Sequence, residues 1–440
     1  MALAVFPVCW CMPTGFCIVA LYGSAMRRFV CFALVAILVL SPVGTVTSAP
    51  SVHPAPPGAQ AASPVVSPFA TESSPAGSMS DDLARSVTVA NNTTQRLVAG
   101  PITAQGYASP RLDFGAAVAM NRESLDDGYE LELLTQRIDS ASSSEERQAY
   151  LQAAIERIER QIETIQRQEQ RAIEAYGSGN ISDRELVRRL GMIGYRAQLT
   201  TETIERLERA TGASLGSLTR QADEYVTPTR SALYQSMTGE HDEPMQVHVV
   251  GGEQGLVVQF LSQAGGDLQY QREAVRLDHR DGNVSQGFAD AQEFLDYTGT
   301  RYPYVSQSSG VNIWEFKQGN WFFSTSPDQG SIRLYVDGSL RKVYREYQQL
   351  QVSALPMSET TSVTAENVTV TANHTANGGP IKLTVVPEPG ENPGSVDVEI
   401  NGQYVGKTNE DGVLWYVPPA GPHRVTVGTN TGPVNVTVVN

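Results

Sequence analysis

Beyond Cys31 the sequence has no cysteine: Cys9, Cys11, Cys17 and Cys31 all fall in the first 31 of 440 residues. That excludes a disulfide framework and a thiolate metal site from the rest, whose stability must come from packed cores. Lysine is nearly absent too, with Lys317, Lys342, Lys382 and Lys407 standing against 28 arginines. A formal net charge of −15 and the lack of any basic stripe exclude nucleic acid as a partner, since nothing offers phosphate contacts. No glycine-rich phosphate loop is present. None of the six histidines (His53, His241, His248, His279, His374, His423) forms the i, i+4 pair around a glutamate of a zinc-protease helix. No catalytic, cofactor-binding or metal-ligating residue is assigned, and no cofactor is expected.

What is present begins with an export signal. Met26-Arg27-Arg28 is a short basic start, and Phe29 to Leu40 is an apolar run of twelve residues. Ser41 and Pro42 end it, with small residues toward Ala49. That order makes a secretory signal peptide over 26–48. Twelve apolar residues fall short of the roughly 20 that a membrane span needs. The alternative is an uncleaved anchor helix, which would be the only membrane contact. The uncharged residues 1–25 read as an extension ahead of a true start at Met26. The arginine pair weakly suggests twin-arginine export.

The remaining chain carries 47 acidic residues against 30 basic ones once Arg27 and Arg28 are set aside. Acidic excess with arginine in place of lysine is similar to the proteins of halophilic archaea, where hydrated carboxylates keep a chain soluble while salt screens its charges. Asn91, Asn92, Asn180, Asn283, Asn367, Asn373 and Asn435 each match the N-glycosylation acceptor pattern and are candidate glycan sites.

Residues 49–80, rich in Pro, Ala and Ser, read as a disordered stalk. A helical bundle is expected over 81–228, with Ser86–Val89 as a short strand and Gly100-Pro101 as a turn. Its first helix runs from Asp113 to Asp139 with a break near Gly128. The second has Leu151, Ile155, Ile158, Ile162, Ile165, Glu169, Ala172 and Tyr176 at alternating steps of four and three, a coiled-coil seam. Ser143 with Glu146, and Ser182 with Glu185, are candidate capping boxes. The Gly177-Ser178-Gly179 connection leads to a partner seam of Leu186, Leu190, Ile193, Ala197, Ile204 and Leu207. An antiparallel hairpin follows, with self-association through the seam as the alternative. A short fourth helix lies around Leu215 to Val226.

Residues 245–352 read as an α+β domain with an antiparallel sheet, a short helix over Phe288–Tyr297 and a two-residue turn at Asp337-Gly338. Residues 361–440 read as a small β-sandwich. Within them Gly394 to Asn401-Gly402, then Gly406-Lys407-Thr408, Asp411-Gly412 and Pro418-Pro419-Ala420-Gly421 precede the strand His423–Val427. This stretch resembles carboxypeptidase-regulatory-like and related immunoglobulin-like sandwich modules. The resemblance implies a structural or binding appendage. The whole chain resembles exported surface proteins of halophilic archaea.

Strings that mimic chemistry fail on context. Gly212-Ala213-Ser214-Leu215-Gly216 follows a helix, where a nucleophile elbow needs a strand. Ser339-Leu340-Arg341-Lys342 continues as a strand, which sends Ser339 and Lys342 to opposite faces. His241-Asp242-Glu243 with His248 and Asp278-His279 is a candidate metal set, and Asn409-Glu410-Asp411-Gly412 a candidate calcium loop, each read first as ordinary loop and strand. Tyr302, Tyr304, Trp314, Phe316, Trp321, Phe322 and Phe323 concentrate aromatics in the α+β domain, and adjacent Phe322 and Phe323 imply that one faces outward as a binding surface. The leading reading is an exported, non-catalytic adhesion, scaffold or ligand-binding protein, its partner an envelope component or glycan. An extracellular hydrolase requires a pocket in the α+β domain that brings together two or more of His248, Asp278, His279 and Glu315. A coiled-coil spacer is the third reading.

Overall fold

The computed structural model describes residues 93–240, 245–281, 287–305, 308, 310–316, 319–365, 367–387, 394–429 and 432–439, all within the compact unit Ser80–Asn440. The extension, signal, stalk and Ser86–Val89 strand lie outside them, as do Asn91, Asn92, Asn283, His53, His241 and Lys317. Among the described residues no helix is long and apolar enough to cross a membrane.

Five helices lie between the strand Ala104–Ala108 and the strand Val247–Gly251: α1 Phe114–Ser140, α2 Ser144–Gly177, α3 Asp183–Thr211, α4 Gly216–Asp223 and α5 Pro228–Thr238. Asp113 caps α1 by accepting from Ala116 N at 3.0 Å. The helix passes Gly128 without a break. One glycine costs about 1 kcal/mol in a helix interior, and buried Met120, Leu131 and Ile138 hold α1 on either side of it. Ser143 caps α2 and Ser182 caps α3, as their spacing predicts. Neither box closes in the expected way. Glu146 reaches back to Ser142 N at 2.8 Å, and Glu185 turns forward to Arg188 and Arg189 at 2.8 and 2.7 Å.

The seam of α2 is buried inside the chain. Ile158, Ile162 and Ile165 share one core with Ile193, Ala197, Ile204 and Leu207 of α3 and Leu218 and Ala222 of α4. Proline at the start of α5 supplies a fixed φ where no N–H is needed. Gly191 and Gly194 let α5 pack closely on α3: a Cβ at Gly194 would stand 2.5 Å from Arg230 Cβ.

An eight-stranded sheet follows: β1 Ala104–Ala108, β2 Val247–Gly251, β3 Gly255–Ala264, β4 Asp267–Arg276, β5 Asn312–Phe316, β6 Asn320–Thr325, β7 Gly330–Asp337 and β8 Lys342–Gln351. All neighbours pair antiparallel in the order β1-β2-β3-β4-β8-β7-β6-β5. Helix α6, Ala291–Arg301, packs Phe294 onto one face beside Trp321 and Phe323. Strand β1 comes from the segment read as helical and pairs with β2, so the helices and the sheet share one fold. The β7–β8 turn has four residues rather than two. Asp337 pairs with Lys342, and Arg341 takes the left-handed conformation at φ 51°.

The C-terminal part is two four-stranded sheets face to face. One has the order β14-β11-β10-β9, from β9 Met357–Ala365, β10 Val368–Thr375, β11 Ile381–Pro387 and β14 Val413–Tyr416. The other has the order β13-β12-β15-β16, from β12 Asp397–Ile400, β13 Gln403–Lys407, β15 His423–Thr429 and β16 Gly432–Val438. Alternate residues point inward, so Val370, Leu383, Val398, Val425 and Val436 are buried in a common core. Asn401 and Gly402 form the two-residue β12–β13 turn at φ 51° and 81°, the two positive angles of a type I′ hairpin.

Candidate functional site: an inter-module cleft and a buried ion cluster

The residues named for a hydrolase do not converge. His248 is on β2 and Glu315 on β5, six strand positions apart, or about 29 Å at the usual strand spacing. His248 is fully buried and meets Gln259 Nε2 through Nδ1 at 3.0 Å. Burial, with His423 adding to it, holds its imidazole down to about 3. His279 instead meets the Val343 carbonyl at 2.7 Å, while Asp278 pairs with Arg276 at 2.6 Å. Among the described residues no cluster of three His, Cys, Asp or Glu side chains suits a metal. Ser214 lies between α3 and α4, after a left-handed Gly212 cap. Ser339 lies in the β7–β8 turn. In the candidate calcium loop, Asn409 Oδ1 accepts from Asp411 N and Val413 N at 3.1 and 2.8 Å, which makes the loop a hydrogen-bonded turn leading from one sheet of the sandwich to the other.

The aromatic expectation is corrected in part. Phe322 and Phe323 do face opposite sides, yet both are buried. Phe322 packs with Phe316, Tyr335 and Tyr344 on the side where Tyr335 donates to the Asp223 carbonyl of α4 at 3.4 Å. The helices cover that face, so Phe322 is no binding surface. Trp314 is the exposed ring, stacked on Phe322 with centroids 3.9 Å apart.

Of the sequons described, Asn180 is exposed in the α2–α3 turn, Asn367 in the β9–β10 turn and Asn435 on β16. Asn373 is half-buried on β10, its carbonyl accepting from Thr360 at 2.9 Å.

Two arrangements escaped the sequence. The first is a cleft of about 900 Å3 where α5, the β1–β2 edge and strands β13 and β14 meet, lined by Tyr107, Arg111, Gln246, Tyr404, Lys407 and Trp415 among others. No carboxylate is among its described lining residues. Its walls are fixed. Tyr107 donates to the Val417 carbonyl at 2.6 Å, Gln403 to the Tyr107 carbonyl at 2.9 Å, and Gln246 to the Tyr404 carbonyl at 2.8 Å. Ala420 N donates to Gln105 at 2.9 Å. On another part of the sandwich, Arg96 donates to the Asn377 carbonyl at 2.6 Å and Asn377 back to the Thr94 carbonyl at 2.9 Å. The half-exposed Tyr404 and Trp415 rings beside Arg111 give the cleft surfaces for stacking and for an anionic group, while Lys407 at its wall pairs with Asp397 at 3.2 Å.

The second is a charge cluster between helices and sheet. Arg230 of α5 meets Glu273 of β4 at 2.6 Å and also Glu169 of α2. Arg345 of β8 meets Glu169 at 2.6 Å and Glu273 at 2.8 Å. Glu224, after α4, lies 3.6 Å from Arg345 and 2.9 Å from Arg280. Three carboxylates balance three guanidiniums, and Thr227 donates to Glu273 at 2.7 Å. Burial pushes the Glu169 carboxyl up, but Arg345 and Arg230 outweigh it and hold it at about 2. On the opposite sheet face Arg272 meets Glu346 at 2.6 Å, and Glu346 also accepts from Tyr302 and from Leu97 N. Such clusters leave no charge free for proton transfer and act as rigid ties. The signal for the helix–sheet ion cluster was visible: Glu169 is a carboxylate inside an apolar seam.

Comparison with known families follows the same divisions. Residues 359–436 match an archaeal fibronectin-III type-like domain. Residues 26–242 match a domain of unknown function (DUF7096), and residues 247–356 a family of unknown function (DUF7094). No curated protein matches the chain. The fibronectin-like match agrees with the two-sheet sandwich and with the immunoglobulin-like resemblance. The other two matches divide between β1 and β2, strands that pair directly.

Proposed function

We propose that this chain is a non-catalytic scaffold of the cell surface, exported behind Phe29–Leu40, that binds an envelope component or glycan in the cleft between its sheet and its fibronectin-like module. The observation that carries the reading is the docking of that module. Hydrogen bonds from Gln105, Tyr107, Gln246 and Gln403 join it to the sheet around the cleft. A module tethered only by a linker would need none of them. The acidic, lysine-poor composition supports a high-salt setting. The exposed sequons at Asn180, Asn367 and Asn435 are glycan sites in this reading.

Export is tested by separating membrane and culture-fluid fractions of the native host and taking intact mass and N-terminal sequence. A start near Ala49 with added glycan mass is the expected result. A species that keeps Phe29–Leu40 in the membrane fraction replaces cleavage with anchoring. Recovery of the whole chain from the cytoplasm contradicts the proposal.

A further inference from the structure

One face of α1 is buried through Ala116, Met120, Leu131 and Ile138. The opposite face is also apolar. Phe114 is 76% exposed, Val118 67%, Leu125 66% and Tyr129 66%. Steps of four, seven and four residues keep the four within about 60° of arc on a helix of 3.6 residues per turn. The outer side of a surface helix is ordinarily polar, and a stripe about 22 Å long with four large apolar side chains calls for a cover.

The stripe is symmetric in sequence about the point between Asn121 and Arg122. Phe114 and Tyr129 are equidistant from that point, as are Val118 and Leu125, and Gly115 and Gly128. A two-fold interface demands this property, because residue i must meet j while j meets i. We propose that α1 is a self-association surface on which a second copy of this chain docks antiparallel. Phe114 packs on Tyr129 of the second copy, and Val118 on Leu125 of the second copy.

Charge agrees with that pairing. Arg122 and Asp126 are exposed and lie 3.6 Å apart. Along the helix Arg122 is about 1 Å from the proposed axis and Asp126 about 7 Å. Each guanidinium then stands between the Asp126 carboxylate of its own copy and that of the second copy. Backbone approach is open as well, since a Cβ at Gly128 would meet nothing within 4 Å. The antiparallel pairing sets the two Arg122 side chains side by side at the axis and parts the Asp126 carboxylates by about 14 Å along the helix, one beyond each end of the arginine pair, whereas a parallel pairing would set Asp126 on Asp126. Four side chains per copy make a contact below the roughly 1,200 Å2 of a standard interface. The dimer is therefore reversible, and molar salt strengthens it because its core is apolar.

The test is sedimentation velocity of the full chain in molar potassium chloride over a concentration series. It includes the double variant V118E/L125E and the single variants N121C and F114C. A monomer–dimer equilibrium is expected, weakened at least tenfold in V118E/L125E, whose altered side chains are exposed and leave the fold intact. Mild oxidation is expected to link N121C to itself through the tryptic peptide 112–122, which contains none of the native cysteines. F114C is expected not to link to itself, because its two copies lie about 22 Å apart along the pair. A strictly monomeric chain, unchanged association in the double variant, or self-linking of F114C overturns the proposal.

Discussion

Arg345 Nη2 stands 2.6 Å from Glu169 Oε2, although 176 residues separate the two in the chain. That contact ties the longest helix to the middle of the sheet. Gly194 makes room for the backbone of Arg230, which brings a second guanidinium to the same carboxylate. The helices and the sheet are thereby held at one angle, and the fibronectin-like module is docked on the far part of the same sheet.

Glu169→Gln leaves Arg230 and Arg345 buried and short of one counter-charge. Breaking a buried pair from one side costs about 3–5 kcal/mol. Denaturant melts at fixed salt are expected to show a lower midpoint with an unchanged slope. A midpoint within error of the parent contradicts the role given to the cluster.

Acid destabilises this fold in two stages. His248 is held at about 3 when folded, below the ordinary histidine value of 6.5. The unfolded chain therefore takes up its proton first, and stability falls as pH drops below about 6.5. Glu169 is held at about 2 against 4.5. Its contribution, on the order of 3 kcal/mol, is present above about 4.5 and is lost toward pH 2. His279, His374 and His423 are also held below the ordinary histidine value, and Glu185 is also held at about 2, so unfolding measured across pH 7.5 to 3 is expected to show a shallower upper slope in His248→Gln and a shallower lower slope in Glu169→Gln. Parallel curves for all three proteins contradict these assignments.

Tyr107→Phe removes the donor to the Val417 carbonyl and leaves the ring in place. The cost is about 1 kcal/mol for the bond itself, and more if the buried carbonyl stays unpaired. The loss is expected to appear as faster proteolytic cleavage between the sheet and the sandwich, around residues 353–358, while the helical core keeps its resistance. Equal cleavage rates contradict a docked module.

Local patterns made much of this legible. Steps of four and three placed α2 and α3, and Ser143 and Ser182 fixed their starts, because an N-cap has a local chemical cause. Asn401-Gly402 announced its hairpin because few residues accept two consecutive positive φ angles. Strand β1, Ala-Gln-Gly-Tyr-Ala, gave no signal: it is short and its order comes from pairing with β2, over 130 residues later. Strand β9 was missed because Ser, Glu and Thr dominate it and most of its side chains face water. The cleft and the ion cluster each join side chains from four or more elements, and no local spacing records that. Glu169 was the exception, an acid in an apolar seam whose partners only the fold supplies.

The most direct test of the account is co-sedimentation of the purified full chain with isolated cell envelopes in molar salt, beside the cleft variant Trp415→Ala/Tyr404→Ala. Saturable binding by the parent, reduced at least tenfold in a variant that melts like the parent, is the result this account predicts. Equal binding by both, or no binding by either, contradicts a surface scaffold that works through this cleft.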